Sequence, residues 1–99
     1  MEELSRDEII GLYDIYGKLL TDKQKNYFED YYYMDLSLAE IAENYNISRN
    51  AIHDQIKRAI ESLYNYEANL HLQKKYKEIE ALDISEDLKK KITDILWED

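Results

Sequence analysis

Apolar side chains recur every three to four residues along most of the chain, which is the spacing of one face of an α-helix. This spacing predicts a first helix from about residue 6 to 20, a second from about 22 to 33 and a short third from about 38 to 45. From Ser48 the pattern runs on without interruption to about residue 80, which predicts one long helix. A last helix is expected over residues 86–97, with Ser85 as its cap.

A hydroxyl-bearing residue stands at the start of each of the first three helices, with Glu or Gln three residues later. These pairs are Ser5 with Glu8, Thr21 with Gln24, and Ser37 with Glu40. In such a capping box each side chain accepts a hydrogen bond from the other residue's free backbone N–H. The chain has no Pro and only two Gly, so hairpin signals are lacking. The sequence therefore predicts one all-α domain of about five helices, residues 1–99.

Residues 37–58 have the pattern of a helix-turn-helix unit. Ala42 is small where two helices must cross closely, and Asn46 stands where the turn needs a positive φ, which Asn tolerates better than most residues. Ser48 would cap the second helix. An apolar cluster is expected to set the angle between the two helices: Ile41, Tyr45, Ile47, Ile52 and Ile56.

The second helix of such a unit enters the major groove of DNA with its first residues towards the bases. The candidates for DNA contact are Ser48, Arg49, Asn50, His53, Lys57 and Arg58. Arg49 would pair with guanine and Asn50 with adenine, while the two later basic residues would hold phosphates. Asp54, on the same side, would repel the DNA backbone. The alternative is that these residues are only the solvated face of an amphipathic helix.

Charge is distributed unevenly along the chain. The net charge is −9, which opposes binding to phosphates, but residues 48–77 carry six basic and three acidic side chains. This modest basic island lies between two acidic arms, so any DNA contact is expected there and should be weak for one protomer.

An apolar seam follows the helix-turn-helix, with residues spaced three and four apart as in a coiled coil: Ile56, Ala59, Leu63, Tyr66 and Leu70. It predicts a homodimer formed through Ile56, Leu63, Tyr66 and Leu70. Packing of the seam against the last helix of the same chain is the alternative. Of the consecutive residues Tyr31, Tyr32 and Tyr33, at least one should be exposed, because three successive helical residues span about 200°.

Several classes of function lack their signals in this sequence. There is no Cys, the two His residues have no ligand spacing, and no Gly-rich phosphate loop occurs, so we expect no metal, no cofactor and no enzymatic activity. The acidic start and the lack of an apolar run of about 20 residues predict a soluble, cytoplasmic protein without membrane insertion. Lys89, Lys90 and Lys91 are expected to be a solvated face, and Trp97 a core anchor of the last helix.

Glu40-Ile-Ala-Glu, Ile47-Ser-Arg and the pair Lys57-Arg58 resemble region 4 of bacterial sigma factors. A longer series, over about residues 8–76, is similar to the YlxM family of small helix-turn-helix proteins. It comprises Leu19-Leu-Thr-Asp-Lys-Gln24, Tyr31-Tyr, Asp35-Leu-Ser-Leu-Ala-Glu-Ile-Ala-Glu, Ile47-Ser-Arg, Ile56-Lys-Arg and Tyr66-Glu-Ala-Asn-Leu. Relatives of the motif often have Gly where this chain has Asn46, and the segment after about residue 80 matches no motif.

Members of the YlxM family are usually encoded beside genes of the bacterial signal recognition particle. The resemblance therefore implies two alternatives for this chain. One is a regulator that binds double-stranded DNA. The other is an accessory of the particle's GTPase or RNA, with a helix-turn-helix that has lost DNA binding.

Overall fold

The computed structural model describes residues 5–96, and every regular element in that range is helical. The six α-helices there are α1 (Arg6–Tyr16), α2 (Asp22–Tyr32), α3 (Leu38–Tyr45), α4 (Arg49–Leu70), α5 (Leu72–Glu80) and α6 (Glu86–Leu96). A short 3₁₀ helix, Gly17–Leu19, continues α1. The predicted all-α helix-turn-helix bundle is confirmed, with one helix more than expected. Among these six helices none is both long and apolar enough to cross a bilayer.

The predicted caps begin the helices, because the first backbone N–H groups of a helix lack partners within it. Both halves of the capping box form at Thr21, whose side chain and that of Gln24 accept bonds from each other's backbone N–H at 3.1 and 3.2 Å. The Ser37 box forms in the same way. The remaining caps accept one bond each: Ser5 from Glu8, Ser48 from Ala51 and Ser85 from Leu88.

Helix α4 is the centre of the bundle, and α1, α2 and α3 all pack against it. Its apolar stripe repeats at helical spacing, so one side of the helix is buried along most of its length. The largest fully buried side chains are Tyr16, Phe28, Ile41, Ile52, Ile56 and Leu63. This core therefore joins residues that are far apart in the sequence.

The apolar seam predicted as a dimer interface belongs to this core. Ile56 and Leu63 are each 0% exposed, because the neighbouring helices of the same chain cover them. In this closed form of the chain, these two residues therefore offer a second protomer no accessible surface, and this part of the seam packs within one chain. Tyr66 is half-buried, with its ring centroid 5.8 Å from that of Tyr16, and Leu70 is 42% exposed.

Aromatic rings join α1 to α2. The rings of Tyr13 and Phe28 are stacked, with centroids 4.2 Å apart and planes 10° from parallel. Of the three successive tyrosines, Tyr32 is buried, Tyr31 is half-buried and Tyr33 is exposed, as expected from the helical geometry. The hydroxyl of Tyr13 donates to the carboxylate of Glu29, and burial together with this bond raises the pKa of Tyr13.

The prediction of one helix from Ser48 to about residue 80 is wrong. Helix α4 ends at Leu70, because His71 takes the left-handed conformation, with φ 56° and ψ 30°. Helix α5 begins at the next residue in a new direction. No Gly or Pro marks this break, so the pattern of apolar residues gave no sign of it.

A hydrogen-bonded junction of Glu67 and Tyr16 holds the break in place. The Tyr16 hydroxyl donates to Glu67 Oε1 at 2.7 Å and accepts from the Leu72 backbone N–H at 3.0 Å. The same carboxylate accepts from the backbone N–H groups of Gln73 and Lys74, at 2.9 and 3.3 Å. Glu67 therefore serves as the missing N-terminal cap of α5, where a negative charge is favourable. This Glu67–Tyr16 junction links α1, α4 and α5.

Helices α5 and α6 form a hairpin that attaches to α1 through α5. Lys89 is only 9% exposed, and its ammonium group donates to the Glu80 carbonyl at the end of α5 and to Glu86, at 2.9 and 3.3 Å. The expectation that it is solvated is therefore wrong, because its stem covers the hairpin while its charge satisfies a helix end. Lys90 and Lys91 are exposed as expected, and Trp97 lies outside the described residues.

The substitution Tyr16→Phe should destabilise the protein by about 1–3 kcal/mol, because it leaves the buried Leu72 N–H without its partner. Urea denaturation measures this change. Tyr66→Phe is the matched control, since its hydroxyl makes no hydrogen bond within residues 5–96. Equal stabilities of the two variants would contradict the role given to the junction.

The same variant should change the response to alkaline pH. Burial and the bond to Glu67 raise the pKa of Tyr16 from 10.0 to about 12. The folded chain therefore holds this proton more tightly than the unfolded chain, so the free energy of unfolding falls as pH rises from about 10 to about 12. Burial and the nearby carboxylate of Asp14 also raise the pKa of Tyr33 to about 12, so Tyr33 contributes to the same fall. Tyr16→Phe should make the fall shallower, and an unchanged slope would contradict this.

Candidate nucleic-acid interface

The turn between α3 and α4 has the geometry predicted for it. Asn46 adopts φ 55° and ψ 45°, a left-handed conformation that ends α3. The backbone N–H of Ile47 reaches back to the Ala42 carbonyl at 3.1 Å, as in a Schellman-type helix end. Two residues later the Ser48 hydroxyl accepts from the Ala51 N–H at 3.0 Å and starts α4. Three residues thus connect the two helices.

Most of the predicted apolar cluster holds the two helices together. Ile41, Ile52 and Ile56 are fully buried, and Ala42 is 7% exposed. The small side chain at Ala42 thus lies in the packed core shared by α3 and α4.

Tyr45 and Ile47 do not belong to that buried cluster, since each is 39% exposed. The Tyr45 ring packs edge-on against Tyr27, with centroids 4.9 Å apart, and its hydroxyl donates to Asp30 at 3.1 Å. Tyr45 therefore fastens the end of α3 to α2. Ile47 lies on the turn beside the start of α4, where it adds an apolar group next to the candidate DNA contacts.

The candidate base-reading residues share one side of α4. All of Arg49, Asn50, His53 and Lys57 are exposed. Around the helix axis Asn50, His53 and Lys57 fall within an arc of about 60°, and Arg49 lies in the first turn close to it. This is the arrangement with which a helix presents its first turns to a groove.

The other two candidates differ in position. Arg58 is exposed but points about 100° away from Lys57, so it does not share their arc. The oxygen of Ser48 is occupied in capping, which leaves only its hydroxyl proton for a phosphate. Asp54 is exposed between the arc and Arg58, where its charge opposes an approaching phosphate.

The basic side chains of α4 have no competing partners within the described part of the chain. Neither Arg49, Lys57 nor Arg58 forms an ion pair there. Arg6, by contrast, pairs with Asp35 at 3.0 Å and also donates to the Tyr32 carbonyl. These three cationic groups of α4 therefore stand available for an external anion.

The surface on the other side of the turn is acidic. Glu40 and Glu43 of α3 are exposed, and Ser37 backbone and side-chain bonds lower the pKa of Glu40, which keeps it charged. In a helix-turn-helix the first helix crosses the DNA backbone, so these charges oppose binding. The cationic surface is consequently narrow.

The sequence of this chain matches a family of known proteins. A family described as "Putative helix-turn-helix protein, YlxM / p13 like" matches residues 4–96. The chain belongs to this family. Its match extends beyond the motifs visible in the sequence, because it includes the α5–α6 hairpin, where no motif was found. The family is described by its helix-turn-helix and not by an enzymatic activity.

Relatives in bacteria are designated UPF0122 proteins, UPF0122 being the designation of the same family. A UPF0122 protein of Fusobacterium nucleatum is 49% identical over 85 residues, which cover 84% of this chain and 82% of the relative. One of Desulforamulus reducens is 54% identical over 76 residues, covering 77% of this chain and 63% of the relative. One of Malacoplasma penetrans is 43% identical and covers 98% and 97% of the two chains.

Replacement of Asn46 tests the turn. Asn46→Ala should cost about 1 kcal/mol, because a Cβ without a local hydrogen-bonding group is unfavourable at φ 55°. Asn46→Gly should be close to neutral, since Gly adopts that conformation freely. Thermal unfolding reports both changes. Asn44→Ala, at an exposed position within α3, is the control and should not destabilise. A destabilising Asn46→Gly with a harmless Asn46→Ala would contradict the assignment.

Proposed function

We propose that this protein is a regulator that binds double-stranded DNA with the first half of α4. The observation that carries the proposal is the exposed, unpaired cationic face at the start of α4, held by a helix-turn-helix turn. Arg49 and Asn50 would read base edges, and Lys57 would hold a phosphate. Arg58 would contact the opposite side of the groove, because it points away from Arg49, Asn50 and Lys57.

The affinity of a single protomer should be low. Three cationic side chains on α4 would displace about two to three counterions, so the slope of log K against log[salt] should be about −2 to −3. Two protomers on neighbouring half-sites would add their contacts and bind much more tightly. We therefore include a homodimer in the proposed function. Its interface must lie outside the buried part of the seam.

Duplex binding by point variants tests this function. Arg49→Ala should lower the affinity for sheared genomic DNA about tenfold or more, as for loss of one good base or phosphate contact. Asp54→Asn should raise the affinity, because it removes a charge that faces phosphates. Fluorescence anisotropy at low and moderate salt measures both.

Lys90→Ala, on the exposed side of α6, is the matched control for charge and should bind like the unmodified protein. Absence of binding at low salt would end the DNA proposal. Equal losses in Arg49→Ala and Lys90→Ala would show that attraction is unspecific and does not use α4.

A second candidate is an accessory role in the signal recognition particle pathway. Helix α6, which carries three acidic and three basic side chains, exposes Leu88 and Ile95, two apolar residues one heptad apart. An exposed apolar pair framed by charge suits a protein partner. The particle's GTPase or RNA would then be the partner, as the family resemblance implies.

Binding of the purified GTPase and RNA of the particle tests this candidate. Leu88→Asp with Ile95→Asp should abolish capture of the GTPase and leave the fold intact, because both side chains are exposed. Arg49→Ala should have no effect on that capture. Failure of the unmodified protein to bind either component would reject the accessory role without affecting the DNA proposal.

A further inference from the structure

The connection between α4 and α5 is a hinge of one residue. His71 alone separates the two helices, and it holds a left-handed conformation that is unfavourable for a residue other than Gly. Residues 49–80 contain no Gly or Pro, and their apolar spacing is that of one continuous helix. The local sequence therefore does not resist straightening, and the bend is maintained by tertiary contacts.

Those contacts connect the α5–α6 hairpin mainly to α1. Leu72 is buried in the core, its N–H bonds to the Tyr16 hydroxyl, and Gln73 lies beside Gly11. A Cβ built on Gly11 would lie 3.1 Å from Gln73 Nε2, so α1 and α5 are closely packed there. The α1 surface that receives α5 would accept the same segment from another copy of the chain.

We infer that α4 and α5 can join into one straight helix and that α5–α6 then packs on α1 of a second copy. The product is an exchanged homodimer in which each protomer completes the core of the other. The inference rests on the homodimer of the proposed function but not on DNA binding. A straight helix over residues 49–80 would be about 48 Å long.

The energetic difference between the two forms is confined to the hinge. The side-chain packing of α5 on α1 is lost within one chain and regained between two chains, while the Leu72 N–H exchanges the Tyr16 hydroxyl for a backbone carbonyl. On straightening, His71 leaves its strained conformation, and the first N–H groups of α5 exchange the Glu67 carboxylate for carbonyls one turn earlier in the helix. Short hinges under strain favour such exchange, so protein concentration should decide which form is populated.

Substitution of the hinge residue should shift this equilibrium in opposite directions. His71→Gly relieves the strain of the bend and disfavours a continuous helix, so it should favour the monomer. His71→Ala has the reverse effects and should favour the dimer. The dimerisation constants of the two variants, measured by analytical ultracentrifugation, should differ by more than about tenfold.

Cross-linking distinguishes exchange from a dimer of two closed protomers. The chain has no Cys, so single cysteines can be introduced without background. One preparation of the protein carries Gly11→Cys and a second carries Gln73→Cys. The two are mixed, unfolded and refolded together, and a short bis-maleimide then joins cysteines that lie close to each other. A cross-link between the two different chains forms only where α5 of one chain lies on α1 of the other. The double variant provides the control for the closed form, because its cross-link can form within one chain.

Covalent heterodimers that increase with concentration, and increase further with His71→Ala, are expected. The protein could instead have the mass of a dimer while the cross-link forms only within single chains of the double variant. That result would overturn the inferred exchange of α5–α6 but not the homodimer itself. A monomer at every concentration, in the unmodified protein and in His71→Ala, would overturn both. DNA affinity is measured separately and decides neither result.

Discussion

The carboxylate of Glu67 meets the hydroxyl of Tyr16 at the point where three helices come together, and the orientation of the bundle depends on this contact. Through it α1 is fixed to the end of α4, and α5 receives a cap that its own first residues do not supply. Because α1, α2 and α3 then cover the apolar stripe of α4, the polar first turns of α4 remain outside. The exposed cationic face is thus a consequence of how the core is closed.

The turn before α4 could be predicted because its determinants are local. Asn46, Ser48 and Ala42 lie within seven residues, and each has a single structural role that its chemistry suggests. The break at His71 has no such local sign, since its causes include Tyr16, which is 56 residues before Leu72 in the sequence. Heptad spacing likewise shows that Ile56 and Leu63 face an apolar surface, but not whether that surface belongs to the same chain.

The sequence was enough to predict which residues form the candidate site, but not which cationic side chains already have partners within the chain. Helical spacing placed Arg49, His53 and Lys57 on the exposed side of α4, while the separate direction of Arg58 follows only when its angle is compared with theirs. Whether a cationic side chain already binds an anionic or carbonyl group of the same chain depends on tertiary contacts. Lys89 illustrates this, because a lysine in a run of three became a buried cap of the preceding helix through a carbonyl nine residues away.

Tyrosine hydroxyls, rather than ammonium or guanidinium groups, satisfy several of the carboxylates that hold this bundle together. The pairs are Tyr13 with Glu29, Tyr16 with Glu67, Tyr33 with Asp14 and Tyr45 with Asp30. A bond between a neutral donor and an anion depends little on screening by mobile ions, whereas attraction between a cationic helix and a polyanion depends on it strongly. Ionic strength can therefore release the protein from a nucleic acid while its architecture persists.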